Sequence, residues 1–323
     1  MQERYGLYQQ AVEEALAGFP LLIEESESPS GASRFLDPSG EPVTQASPTP
    51  PAEGEIPQPL RSAMGYSLLL PGKRLRPVLL LAAYALLRED WQEALPFACA
   101  LEMIHTYSLI HDDLPAMDDD AFRRGKPTNH KVFGENMAIL AGDGLLNMAY
   151  ETMLSAPLWR DRPGRALAAA RVIAQRAGVR GMIAGQTLDV KLEGTQPEAG
   201  LVSYIHRHKT ADLIAAPVMA GLLLAGAEEE RLLAGRIYGE NLGLAFQMVD
   251  DLLDISGDAQ AMGKQTGMDA ARGKMTWPAV FGAERTRRDA VQAVDRATAA
   301  LSVFGPSGEF LRILAQETLV RVK

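Results

Sequence analysis

IHTYSLIHDDLPAMDDDAFRRGKPTNH, residues 104–130, begins as an apolar run and ends in a burst of charge. Asp112, Asp113, Asp118, Asp119 and Asp120 fall within nine positions at the end of an otherwise apolar helical pattern. Aspartate is a poor helix former and is costly on a buried face unless it is paired or metal-bound. The pattern therefore predicts a helical bundle whose core helices carry chemistry on facing inner surfaces. Asp112 and Asp118 are six apart, and a continuous helix would turn them away from each other. Pro115 between them breaks the backbone pattern, and a bulge there can bring Asp118 back beside Asp112.

A second acidic cluster, FQMVDDLLDISGD, occupies residues 246–258. Asp250 and Asp254 are four apart, so one helical face presents both carboxylates. Like charges this close repel, and a divalent cation removes the repulsion. Carboxylate-only ligands suit Mg²⁺, which keeps part of its water shell and also takes phosphate oxygens. Neither cluster has the glycine and terminal glutamate of an EF-hand. Basic islands complement the acids: Gly72-Lys73-Arg74-Leu75-Arg76-Pro77 at a helix start, Arg123-Arg124-Gly125-Lys126, Lys209-Thr210, and Lys264 and Lys274. Helix N-termini already favour anions, and clustered cations suit diphosphates. The glycines of 267–276 are misspaced for a P-loop and Met275 replaces the required hydroxyl, so an NTPase is excluded.

Outward from these motifs the chain reads as helix almost throughout. It has 323 residues, 47% of them hydrophobic, with few aromatics, enough for a sizeable core rich in Ala and Leu. Helical patterns fall at about 3–19, 60–69, 74–88, 92–114, 135–155, 164–184, 199–225, 228–255, 276–303 and 307–321, with no strand alternation or hairpin dipeptide. The expected fold is all-α, a single-domain helical bundle spanning 1–323. The Pro/Ser/Gly-rich segment at about 24–59 cannot bury enough apolar surface to order itself and reads as a flexible loop. A net charge of −9 argues against nucleic-acid binding. The apolar runs 77–87 and 215–227 are too short to span a bilayer and read as buried helices, so no stable membrane insertion is expected. No secretory signal is visible at the N-terminus, and the lone Cys99 predicts a reducing compartment, the cytoplasm.

The ordered set GKRLRP, HDDLPAMDDD, RRGKPTNH, AGD, GQ-x-x-D (Gly185, Gln186, Asp189), HKT, FQ-x-x-DDLLD and GK-x-x-G-x-D resembles the trans-isoprenyl diphosphate synthases. The two-residue insertion within HDDLPAMD resembles the bacterial farnesyl and related geranylgeranyl enzymes. Departures are small: Pro71 precedes Gly72 where glycine is usual, Ala121-Phe122 stand for Asp-Leu, and the loop around 26–55 is long.

The resemblance implies a homodimer that condenses allylic diphosphates (dimethylallyl, geranyl) with isopentenyl diphosphate to a fifteen-carbon product, twenty carbons being the alternative. It implies that Asp112, Asp118, Asp250 and Asp254 bind Mg²⁺, three ions with substrate present, and that Asp113 supports the first set. Arg123, Lys209 and Lys264 would hold the allylic diphosphate, with Lys274 nearby. Lys73, Arg76, His105 and Arg124 would hold that of isopentenyl diphosphate, while Thr210 and Gln247 line the reacting carbons. Tyr107 and Ser108, one turn back from Asp112, would limit chain length. A terpene cyclase would not need the GKRLRP pocket, and a non-catalytic partner subunit would tolerate loss of aspartates that are all present here.

Overall fold

The computed structural model describes residues 1–19, 51–256, 267 and 272–320. Most of the segment read as a loop, and Lys264, lie outside the described residues. The helices are α1 (Gln2–Ala17), α2 (Gln58–Leu68), α3 (Leu75–Tyr84), α4 (Leu95–Asp112), α5 (Asn129–Phe133) and α6 (Glu135–Leu154). They continue as α7 (Leu158–Asp161), α8 (Pro163–Ala177), α9 (Met182–Lys191), α10 (Ala199–Ile205), α11 (Asp212–Ala225) and α12 (Glu229–Ser256). After these come α13 (Trp277–Phe281), α14 (Ala283–Ala300) and α15 (Glu309–Val320). The chain forms an all-α bundle of the isoprenoid synthase type.

α11 is the hub. Leu213, Ile214, Ala215, Ala216, Val218, Leu222 and Leu224 are all within 1% of complete burial, so the helix is apolar all round and packs against α3, α8 and α12. Its apolar run and the one entering α3 are core, and among the described residues no helix is long and apolar enough to cross a membrane. Pairs of core helices approach closely where glycine removes a side chain. A Cβ on Gly243 of α12 would stand 2.4 Å from the Cα of Ala211, and one on Gly185 of α9 would stand 2.1 Å from the amide nitrogen of Lys209. α9 and α12 therefore flank the same short stretch of backbone.

Several sequence expectations need correction, among them the pattern at 276–303, which is α13 and α14 parted at Gly282. The pattern at 164–184 is two helices, α8 and α9, because Gly181 sits in a turn where a Cβ would meet the Arg176 carbonyl at 2.0 Å. α2 starts at Gln58, inside the segment expected to be loop, with Pro59 in its first turn where the missing N–H costs nothing. The basic island after the first acidic cluster is a small hairpin, β1 (Phe122–Arg123) with β2 (Lys126–Pro127), paired antiparallel. Its turn residues Arg124 and Gly125 both have positive φ, 53° and 75°, the conformation of a tight two-residue hairpin turn.

Candidate active site

α4 stops at Asp112, and the chain turns back on itself through Pro115 until the Asp118 amide donates to the Asp112 carbonyl at 2.8 Å. The bulge inferred from Pro115 is present, and it sets the two aspartates on one wall. The opposite wall comes from α9, α12 and the segment His206–Ala211, which winds as a π-helix between α10 and α11. An extra residue per turn re-aims side chains, and here it delivers Lys209 and Thr210 to one face. Gly185 lets α9 lie directly on this turn, so that Asp189 Oδ2 receives the Lys209 ammonium at 2.5 Å and Gln186 donates to Asp112 Oδ1 at 2.7 Å.

A polar chamber of about 230 Å³ lies between the walls, bordered by Asp112, Asp118, Asp189, Asp250, Arg123, Lys209, Lys274, Thr210 and Gln247. Lys274 Nζ sits 2.9 Å from Asp118 Oδ1 and 3.6 Å from Asp189 Oδ2, making it a full member of the site rather than a neighbour. Burial works against the Lys209 ammonium, but Asp189 and Asp112 outweigh it and raise its pKa above the usual range. Burial likewise opposes ionisation of Asp118, yet Lys274 and Lys209 lower its pKa. For Asp112 burial prevails and the pKa rises. The lysines thus favour the charged forms of Asp118 and Asp189 within the chamber.

Thr210 and Gln247 are held in a fixed chain. The Thr210 hydroxyl donates to Gln247 Oε1 at 2.6 Å, and Gln247 Nε2 donates to Asp251 Oδ1 at 2.9 Å. Asp251 is 2% exposed and also accepts from the Trp277 amide at 2.8 Å, with His206 Nε2 at 3.2 Å. The amide orientation of Gln247 follows from these partners: its N–H group donates to Asp251 and its oxygen accepts from Thr210. His208 faces Asp212 at 2.8 Å, so the histidines of this turn serve carboxylates and not a common metal.

Two predicted ligands stand differently. Asp113 is gripped by Arg123, whose Nε donates to both carboxylate oxygens at 2.8 and 2.9 Å, and it does not border the chamber. Arg123 is therefore anchored by Asp113 while its side chain borders the chamber; burial opposes its charge, but Asp113 raises its pKa. Asp254 is 3% exposed and does not border the chamber either.

A second basic cluster gathers around α3. Arg76 is buried enough to push its pKa down to about 10, with Arg124 adding to the shift and Glu102 opposing it. Burial lowers the His105 pKa well below its usual 6.5, and Arg76, Arg124, Arg123 and Arg74 push the same way. Cations crowded this closely repel, which is the electrostatic signature of a site for a polyanion.

Behind Asp112 the polar chamber meets a larger, mainly apolar one of about 760 Å³. Leu109, Asp112, Lys209 and Thr210 border both. Tyr107 and Ser108 are in its wall, together with Leu146 of α6 and Met182, Ile183 and Val190 of α9. Tyr107 is 6% exposed and meets the His111 ring edge-on at 5.8 Å. His111 donates to the Ile139 carbonyl at 3.0 Å, against Gly142, where any Cβ would overlap its ring.

Among the described residues no three acidic or histidine side chains converge into a self-sufficient metal cage. The anionic donors that border the chamber are aspartates with lysines between them, and His206, also in the lining, is turned to Asp251. Such a set fits Mg²⁺ ions that take part of their coordination from diphosphate and water. Sequence reasoning passed over Asp189, Gln186, Asp251 and Arg272 as site residues. The first two were visible in the GQ-x-x-D spacing. Arg272, which reaches Asp118 Oδ1 at 3.0 Å and Asp120 at 3.2 Å, had no local signal.

The polyprenyl synthetase family pattern matches residues 57–301. The chain is 49% identical over 227 residues to the farnesyl diphosphate synthase of Geobacillus stearothermophilus, covering 70% of this chain and 76% of that protein. It is 43% identical over 269 residues to geranylgeranyl pyrophosphate synthase 11 of Arabidopsis thaliana, covering 82% and 71%. Among solved structures, an FPP/GFPP synthase from Zymomonas mobilis superposes with a TM-score of 0.78 at 30% identity, covering 98% of both chains. A Helicobacter pylori geranyltransferase complexed with magnesium and isoprenyl diphosphate gives a TM-score of 0.76 at 29% identity, covering 98% and 95%. An aspartate-lined chamber opening into an apolar one, on an all-α bundle with these relatives, places the chain in the polyprenyl synthetase family of prenyl-transferring enzymes.

Proposed function

We propose that the chain condenses dimethylallyl and geranyl diphosphates with isopentenyl diphosphate to make farnesyl diphosphate. The observation that carries this reading is the pair of joined chambers: a charged one for the allylic diphosphate and an apolar one for its tail, with Asp112 between them. Asp112, Asp118 and Asp250 would hold Mg²⁺, with Asp254 and Asp113 supporting from buried positions. When bound, Mg²⁺ supplies neutralisation of the leaving diphosphate.

Lys209, Lys274 and Arg123 bind that same diphosphate and stabilise the charge it gains as the allylic C–O bond breaks. The Thr210 and Gln247 oxygens face the carbon that becomes cationic. Lys73, Arg76, His105 and Arg124 hold isopentenyl diphosphate so that its double bond attacks in line. The proton lost afterwards passes to the departing diphosphate, since the nearby His111 is committed to a carbonyl and Asp118 and Asp189 to lysines. The apolar walls exclude water from the cation.

Incubating the purified protein with Mg²⁺, isopentenyl diphosphate and each allylic primer, then sizing the products, tests this. A fifteen-carbon main product is expected. A twenty-carbon product would favour the second reading, a geranylgeranyl diphosphate synthase, which the similarity to the Arabidopsis enzyme supports. Ile139, Leu140 and Leu154 of α6 are 45%, 51% and 63% exposed. A homodimer would cover such exposed apolar side chains, and light scattering of the purified protein would detect it. The free, buried Cys99 is compatible with a cytoplasmic location.

A further inference from the structure

α1 carries two stripes at helical spacing, and only one of them enters the core. Tyr8, Val12 and Leu16 are 3%, 0% and 1% exposed and pack into the bundle. The adjacent stripe, Tyr5, Gln9 and Glu13, lies against the loop 70–74 that leads into α3. The Tyr5 hydroxyl donates to the Lys73 carbonyl, and Gln9 Nε2 donates to the Gly72 carbonyl at 2.9 Å. Glu13 stands 3.7 Å from Arg74 Nε, while Arg74 Nη1 donates to Glu102 of α4 at 2.8 Å, both ends of that pair being buried. Arg74 itself is left-handed, with φ 49°.

The same loop is gripped from the other side by two guanidinium groups. Arg74 Nη2 donates to the Leu70 carbonyl at 2.8 Å, and Arg124 Nη1 donates to those of Leu70 and Pro71 at 3.5 and 3.4 Å. Arg124 lies flat on Gly72, where a Cβ would come within 2.5 Å of its Nη1. Every carbonyl from Leu70 to Lys73 is thus engaged by a donor. Four oxygens that would repel an approaching polyanion are occupied, and the backbone from which Lys73 and Arg76 project is fixed. Two of the four are occupied by α1.

We propose that Tyr5 and Gln9 are positioning residues for isopentenyl diphosphate, acting through the loop without touching the substrate. The inference rests on the reading that Lys73, Arg76, His105 and Arg124 take that diphosphate. Its test is steady-state kinetics on the full chain with Tyr5→Phe, Gln9→Glu, Gln9→His and Arg76→Ala, each with its melting temperature. Gln9→Glu removes the donor and sets a carboxylate against the Gly72 carbonyl. It should raise KM for isopentenyl diphosphate by about three- to tenfold, the range one hydrogen bond spans. Tyr5→Phe should raise it by less, and Gln9→His, which keeps a donor, should stay near the parent.

In the Tyr5 and Gln9 variants, kcat at saturation and KM for geranyl diphosphate should stay within about twofold, below the effect of one hydrogen bond. If Arg76→Ala raises KM and Gln9→Glu does not, the inference is overturned while the diphosphate site stands. If Gln9→Glu moves both KM values alike and lowers the melting temperature, α1 only packs, and the inference is overturned as well. An unchanged KM in Arg76→Ala overturns the site reading and the inference with it.

Discussion

The Asp118 amide donates to the Asp112 carbonyl at 2.8 Å, so two carboxylates six positions apart are joined by their own backbone. The backbone turn that brings them together is closed without their own carboxylates. Asp112→Ala, Asp118→Ala or Asp250→Ala should therefore remove a ligand without moving its neighbours. Each should lower turnover by at least roughly a hundredfold to a thousandfold, the loss typical of one preorganised electrostatic group. Circular dichroism should show the fold unchanged. Near-normal turnover in any of the three would refute its role at the metal.

His105 offers a pH test that needs no metal. Burial, reinforced by Arg76 and Arg124, lowers its pKa well below 6.5, so folding opposes its protonation. Its contribution to stability is present above the unfolded value and is lost as pH falls below about 6.5. A bound diphosphate reverses the local field and should draw a proton onto the ring. Calorimetry of isopentenyl diphosphate binding near pH 6 in buffers of different ionisation enthalpy should report proton uptake, and His105→Gln should abolish it. Equal uptake in the variant would assign the proton elsewhere.

Tyr107 gives the sharpest test of chain length. Its ring is in the wall of the apolar chamber one turn behind Asp112. Tyr107→Ala should enlarge that chamber and shift the main product from fifteen toward twenty carbons, as read by chromatography of the dephosphorylated products. A variant that still stops at fifteen would move the limit to α6, whose Leu146 is in the same wall.

Cys99 is 1% exposed, and burial, with Glu102 nearby, pushes its thiol pKa up to about 12. The native protein should resist iodoacetamide at pH 8 and react only on unfolding, since the thiolate is the nucleophile. For stability the sign follows from the raised pKa. The thiol's contribution is constant below its ordinary 9.0 and is lost as pH rises from there toward 12. Stoichiometric labelling of folded protein at pH 8 would contradict the buried placement.

What the sequence made legible follows physical range. Helices announced themselves through local periodicity, and the acidic clusters through charge in apolar surroundings. The Pro115 bulge was readable because proline acts on its own neighbours. The hairpin was missed because Arg124, a residue with no special taste for positive φ, occupies half of its turn beside Gly125. The break between α8 and α9 was missed although Gly178 and Gly181 stood in the sequence, because a helical apolar pattern continues across them. Long-range partners were not legible at all. Nothing near Arg272 names Asp118, and nothing near Gln9 names Gly72.

The hairpin at 122–127 has a geometric consequence for the reaction. Arg123, the last residue of β1, reaches Asp113 and borders the polar chamber, while Arg124, the first residue of the turn, reaches the loop before α3. On the proposed function, adjacent guanidinium groups, one ending the strand and one opening its turn, would address the two diphosphates of the condensation. The spacing between the two substrates would then be tied to a covalent ruler one residue long. Inserting one residue between Arg123 and Arg124 would lengthen that ruler and pull the two guanidinium groups out of register.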